Sequence, residues 1–137
     1  LSEQVRQADV VLDGSDNFET RFLVNRVCVA QSTPLVSGAA IRMEGQVAVF
    51  MNNDPNSPCY QCLYKEEGED DIRCSETGVL APVVGIIGSL QATEALKILT
   101  KMTSKSTAWL LVMDALQQEW RKLKLGKDPK CPVCGSR

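Results

Sequence analysis

Histidine is absent from all 137 residues. That absence excludes Ser-His and Cys-His nucleophile systems within the chain, and mixed Cys/His metal sites with them. Phosphate-cradling loops are missing as well. Neither G-x-G-x-x-G nor G-x-x-x-x-G-K-[ST] occurs, so no glycine-rich turn offers its backbone amides to a triphosphate. No charge sign dominates: a formal net charge of -2 gives no electrostatic reason to expect nucleic acid or an anionic membrane as partner. There is no signal-peptide pattern and no apolar run near the ~18 residues of a membrane span, so the chain is expected to be cytoplasmic, with reduced thiols. It begins within a helix-like segment, Ser2 to Gln7, with no initiating methionine, and is expected to be the C-terminal part of a longer protein.

Cysteine is what the chain does have, six in number. Cys59 and Cys62 form one Cys-x-x-Cys pair in a turn-rich stretch, and Cys131 and Cys134 form another at the end. Two such knuckles supply four thiolates, which fill a tetrahedral zinc shell with no open position for water, so a structural metal is expected. Pro58, Pro132 and Gly135 pre-bend both loops. The wide gap between the pairs departs from a short-spaced zinc ribbon, so the metal staples the C-terminus to a distant loop. Disulfides remain the alternative use of these thiols. Cys28 lies among Val24, Val27 and Val29 and reads as a small core residue. Cys74 lies in an acidic loop beside Arg73, where a cation favours thiolate; it reads equally as a reactive thiol or an inert surface one.

An apolar fraction of 44% and a charged fraction of 23% are those of an ordinary globular domain. Ala8 to Asp13 reads as a buried strand, and Gly14-Ser15-Asp16-Asn17 as a loop opening a helix that runs to about Gln31. Asp16 is the expected N-cap, with Glu19 completing a capping box. Pro34 to Ala39 and Gln46 to Met51 read as strands around an Arg42-Met43-Glu44-Gly45 turn, giving a strand-helix-strand unit of a parallel sheet with an added pairing. From Asn52 to about Thr77 the composition is that of a long excursion. Pro82 opens a second helix, Val83 to about Thr100, expected to lie buried on the sheet with Gly85 and Gly88 allowing close approach. Thr107 to Asp114 and Glu119 to Leu125 read as a closing strand pair. The loop after the first strand is where open α/β sheets bind ligands. Asp16 there is a ligand group or only a cap, Asp13 faces the same crevice or ends its strand, and Arg21 reaches phosphate or solvent; spacing alone leaves these open.

A specific resemblance is carried by an ordered set of segments: Asp9 to Asn17 with Arg21 and Asn25, Pro34 to Gln46, Cys59-Tyr60-Gln61-Cys62, Gly78 to Pro82, Gly85 to Lys97, and Cys131-Pro132-Val133-Cys134-Gly135. Together they resemble the MoeB/ThiF/HesA family, the bacterial relatives of ubiquitin-activating enzymes. The resemblance implies an α/β fold, the C-terminal portion of a Rossmann-like mixed sheet with flanking helices, a long crossover excursion and a four-cysteine zinc staple. It implies one adenylation domain, with residues 1-51 completing a nucleotide-binding sheet, 52-80 a cysteine excursion, and 81-137 a helix, strand pair and knuckle. It further implies use of ATP and Mg2+ to adenylate the C-terminal glycine of a ubiquitin-like sulfur carrier ending in Gly-Gly, for molybdenum cofactor or thiamine biosynthesis. Asp16, Asn17 and Arg21 would lie at the nucleotide, Cys59, Cys62, Cys131 and Cys134 would hold Zn2+, and Cys74 would match a carrier-linking cysteine of the thiamine branch. A homodimer is implied, with neither nucleic acid nor membrane as partner. Because the family's glycine-rich loop is not in this sequence, the chain alone is expected to be inactive. A non-catalytic, zinc-stapled carrier-binding or dimerisation fragment is the alternative.

Overall fold

In the computed structural model, residues 1–66, 78–103 and 108–137 are described. Five strands form one sheet in the order β1-β2-β3-β4-β5. They are β1 (Val11–Asp13), β2 (Leu35–Ile41), β3 (Glu44–Phe50), β4 (Ala108–Asp114) and β5 (Glu119–Leu125). The helices are α1 (Ser2–Gln7), α2 (Phe18–Ala30), the single-turn α3 (Tyr60–Leu63) and α4 (Ala81–Leu99). β1 and β2 run parallel, with α2 as the crossover between them, whereas β2 through β5 pair antiparallel. The sheet is therefore mixed, with its parallel part at the β1 edge.

Alternation along the strands builds two cores. Leu35, Ala48, Phe50 and Leu110 face one side, where they pack with Val5, Phe22, Cys28 and Tyr60. Val36, Val47 and Met113 face the other and pack with Val83 and Ile87 of α4. Burial on α4 recurs every fourth residue, at Val83, Ile87, Gln91 and Ala95, which is the stripe a helix presents to a sheet. The rest of α4 departs from expectation. Val84, Ile86, Leu96 and Leu99 are exposed. By length and composition alone the helix passes for a membrane span, with a mean hydropathy of 1.2 and 22% of that window buried. The expectation of no such apolar run is corrected, because Glu94 and Lys97 are the only charges on 19 residues.

The close approach also falls elsewhere than expected. A Cβ on Gly85 or Gly88 would meet nothing within 4 Å, whereas one on Gly38 would sit 2.2 Å from Gln91 and one on Gly45 2.5 Å from Ile87. The sheet, not the helix, supplies the glycines that let α4 settle onto β2 and β3. After the excursion the chain returns beside the β2–β3 hairpin, where Arg42 pairs with Val79 and exchanges backbone bonds with Gly78 and Leu80.

Candidate functional site

A cleft of about 500 Å³ opens at the carboxyl ends of β1 and β2. Its walls come from the β1–α2 loop, the end of β2, the start of β3, the aromatic rings of Tyr60 and Tyr64, and α4 at Val84, Ile87 and Gln91. This is the position at which a sheet with parallel strands leaves room for a ligand.

The expected cap is corrected here. Asn17, not Asp16, is the N-cap of α2: its Oδ1 accepts from the Thr20 N–H at 2.8 Å. An Asn does this as well as an Asp, since the cap needs only a side-chain oxygen at that reach. Asp16 is displaced outward, exposed at the cleft, with one contact from Asn17 Nδ2 at 3.3 Å. Its carboxylate is therefore not consumed by the helix. Asp13 ends its strand: it is buried, and its Oδ1 accepts from the Ser15 N–H at 2.9 Å.

Arg21 reaches neither solvent nor an open cleft with its whole fork. Buried one turn into α2, it donates to the Ser15 carbonyl, to the Gly38 carbonyl at 2.7 Å and to Ser37 Oγ at 3.3 Å. The guanidinium thus ties the β1–α2 loop to the middle of β2, the two walls between which a ligand would lie. Gln91 does the equivalent from α4, donating Nε2 to the Asp13 carbonyl at 2.9 Å and the Val36 carbonyl at 3.3 Å. The sequence carries a signal for it, a carboxamide in the buried phase of an otherwise apolar helix. Across the cleft Gln46 Nε2 donates to the Tyr64 hydroxyl. Tyr60 stacks obliquely on Tyr64 with ring centroids 5.0 Å apart, and meets Phe22 edge-on at 5.6 Å. Burial, foremost, raises the Tyr60 hydroxyl pKa above its usual range.

The four knuckle cysteines come together. Cys59, Cys62, Cys131 and Cys134 place all four Sγ atoms within 4.8 Å of one another. Cys59 and Cys131 are 3.7 Å apart, and Cys62 and Cys134 3.4 Å. A tetrahedron with Zn–S bonds of ~2.3 Å requires sulfurs about 3.8 Å apart, so this donor set fits zinc, and it is far too open for a disulfide. None of the five described cysteines is bridged. Backbone N–H groups of Cys59 and Asp128 each donate to Cys62 Sγ at 3.5 Å. With the Cys59 thiol as the largest influence, these bonds hold the Cys62 pKa down to about 4. Cys59 is pushed up by the same pairing and by burial, and Cys134 to about 11, by burial first. Cys28 is the core residue expected, fully buried, with burial raising its pKa to about 12. Cys74 lies outside the described residues.

The tail is fastened around the knuckle. Arg137 donates to the carbonyls of Asn52 at 3.2 Å and Ser57 at 2.9 Å, and Lys127 Nζ donates to the Arg137 carbonyl at 2.9 Å. A family model described as "ThiF family" matches residues 1–133. The chain belongs to the ThiF family. Similar proteins include molybdopterin-synthase adenylyltransferase of Escherichia coli strain K12, 45% identical over 98% of this chain and 54% of that protein. Another is the sulfur carrier protein adenylyltransferase of Thermus thermophilus, 42% identical over 97% of this chain and 51% of that one. This ThiF-family chain spans about half the length of these relatives. Among solved structures, E. coli MccB superposes with a TM-score of 0.77 at 19% identity, over 98% of this chain and 42% of that one, which establishes the shared fold.

Proposed function

We propose that the protein carrying this chain adenylates the C-terminal carboxylate of a ubiquitin-like sulfur-carrier protein, using ATP and magnesium, and that the four cysteines hold a structural zinc. The relatives named as molybdopterin-synthase and sulfur-carrier adenylyltransferases support the reaction class. The observation that carries it is the position of Asp16, exposed at the rim of a cleft at the carboxyl ends of parallel strands and released from capping by Asn17. A carboxylate so placed can hold a cation that accompanies triphosphate. Magnesium, when bound, neutralises the phosphate charge that builds as pyrophosphate departs.

The chain's own residues contribute positioning and part of the cleft wall. Arg21 and Gln91 tie the β1–α2 loop and the end of β1 to the first half of β2, so that Asp16 is presented in one geometry. Tyr60, Tyr64 and Phe18 wall the cleft with ring surface against which an acyl-adenylate would lie. The cysteine knuckle holds α3, and hence Tyr60, in place. The carrier is expected to end in Gly-Gly, as the family resemblance implies.

The test is carrier-dependent exchange of pyrophosphate into ATP with the complete protein and a carrier ending in Gly-Gly. Asp16→Ala is expected to reduce exchange at least about a hundredfold while zinc content and melting temperature stay at wild-type values. Wild-type protein that binds such a carrier yet supports no exchange would overturn the enzyme reading and favour a carrier-binding module.

A further inference from the structure

Asn25 is fully buried in the middle of α2, a poor place for a carboxamide on both helix-propensity and desolvation grounds. Its neighbours on the inward face, Phe22 and Cys28, are core residues, and an apolar side chain would serve packing alone. Both ends of the carboxamide are instead engaged by the first knuckle pair. Oδ1 accepts from the Tyr60 N–H at 3.0 Å, and Nδ2 donates to Cys59 Sγ at 3.5 Å. The orientation is not interchangeable. A backbone N–H can only donate, so the oxygen must face Tyr60 and the NH2 must face sulfur.

We propose that Asn25 is the positioning residue that clamps the metal knuckle onto α2, through an N–H···S hydrogen bond to Cys59 that is retained when the sulfur is a metal-bound thiolate. The inference rests on the reading of the four cysteines as a zinc site. Four thiolates on one divalent ion leave a net double negative charge in a buried place, and each N–H aimed at a sulfur offsets part of it. Cys62 receives two such donors from the backbone. Cys59 accepts from the Cys62 N–H within the α3 turn and from Asn25, the latter supplied by a different element of the fold. Arg21 lies one helical turn earlier on the same face and ties down the cleft loop, and Tyr60 lines the cleft. Asn25 is therefore where the metal staple and the cleft are joined mechanically.

Three measurements on the complete protein test this. Asn25→Leu removes both hydrogen bonds at similar volume, and Asn25→Asp keeps an acceptor for Tyr60 but turns an oxygen toward sulfur. Both are expected to release zinc to a chromophoric chelator at least about tenfold faster than wild type. After cobalt substitution, their sulfur-to-metal charge-transfer band is expected at lower energy, because a thiolate that has lost an N–H donor gives up an electron more readily. Thr33→Val, which deletes a buried hydroxyl bonded to the Val5 carbonyl at 3.1 Å, should lower stability and move neither readout. Unchanged release and absorption in the Asn25 variants, or equal changes in Thr33→Val, would overturn the proposal. Should the variants not fold, wild-type protein loaded with cadmium-113 decides: scalar coupling between the Asn25 side-chain amide protons and the metal is expected, and its absence refutes the bond. Wild-type protein isolated without stoichiometric zinc would overturn the zinc reading, and this inference with it.

Discussion

The two ends of α2 face different problems. At its N-terminus the cleft is assembled from a few long side chains, Arg21 and Gln91, that reach across to backbone carbonyls and leave Asp16 exposed. Beyond its middle, the knuckle is fixed many times over, by four sulfurs, by N–H donors to Cys59 and Cys62, and by Arg137 and Lys127 fastening the tail. The knuckle's sulfurs are buried or half-buried, whereas the cleft is lined by exposed carboxylates, Asp16 and Glu44. The densely fastened region and the open cleft thus lie in separate parts of one core, with a single helix between them.

The contrast can be broken most severely at the knuckle. Cys131→Ser removes one of four ligands, and because ligation energy is part of folding energy, it should release the metal and cost roughly 4 kcal/mol or more in denaturant unfolding. Chelated wild-type protein that unfolds no more readily than the loaded form would show that the sulfurs do not staple anything. A smaller effect is expected at the cleft from Gly38→Ala. The new methyl group would lie 2.2 Å from Gln91, whose carboxamide cannot swing aside without giving up the Asp13 and Val36 carbonyls. A loss of about 2 kcal/mol with unchanged zinc content is expected. Loss of metal in that variant would mean the two regions are not separable.

The smallest effect sharpens the assignment of two adjacent residues. Asn17→Ala should destabilise by about 1 kcal/mol through loss of the cap to Thr20, whereas Asp16→Ala should stay within about 0.5 kcal/mol of wild type. Thermal melts of the pair check this directly, and the reverse order would return Asp16 to the role of a cap.

Much of this is legible in the residue order, and the exceptions share one cause. The strand end at Asp13 and the helix start near Asn17 follow from periodicity and punctuation, whereas the strand at Glu119 to Leu125 stands where expected although its residues do not alternate cleanly. Sequence places the cap one residue early, because Asp16 and Asn17 are both good caps and only backbone geometry selects between them. Gly85 and Gly88 look like contact points because glycine on an apolar helix usually is one, but the helix phase turns them away from any neighbour and puts Val83, Ile87 and Gln91 on the sheet. Arg21 stays open between phosphate and solvent at the level of sequence, since nothing local says that Ser15, Ser37 and Gly38 will converge on it. Asn25 gives no local hint of its partners, which lie 34 and 35 residues away.

By itself, the sequence determined the kinds of element and the chemistry of the four sulfur donors, because strand and helix periods are local and a Cys-x-x-Cys turn brings its own two sulfurs together. Which distant groups meet was decided only by the tertiary structure. The closing of one Cys pair on the other, the burial of Arg21 on carbonyls, the exposure of Asp16 and the seating of Asn25 against Cys59 all depend on how α2 is seated against the sheet and the α3 turn. That placement is set by packing summed over the whole core.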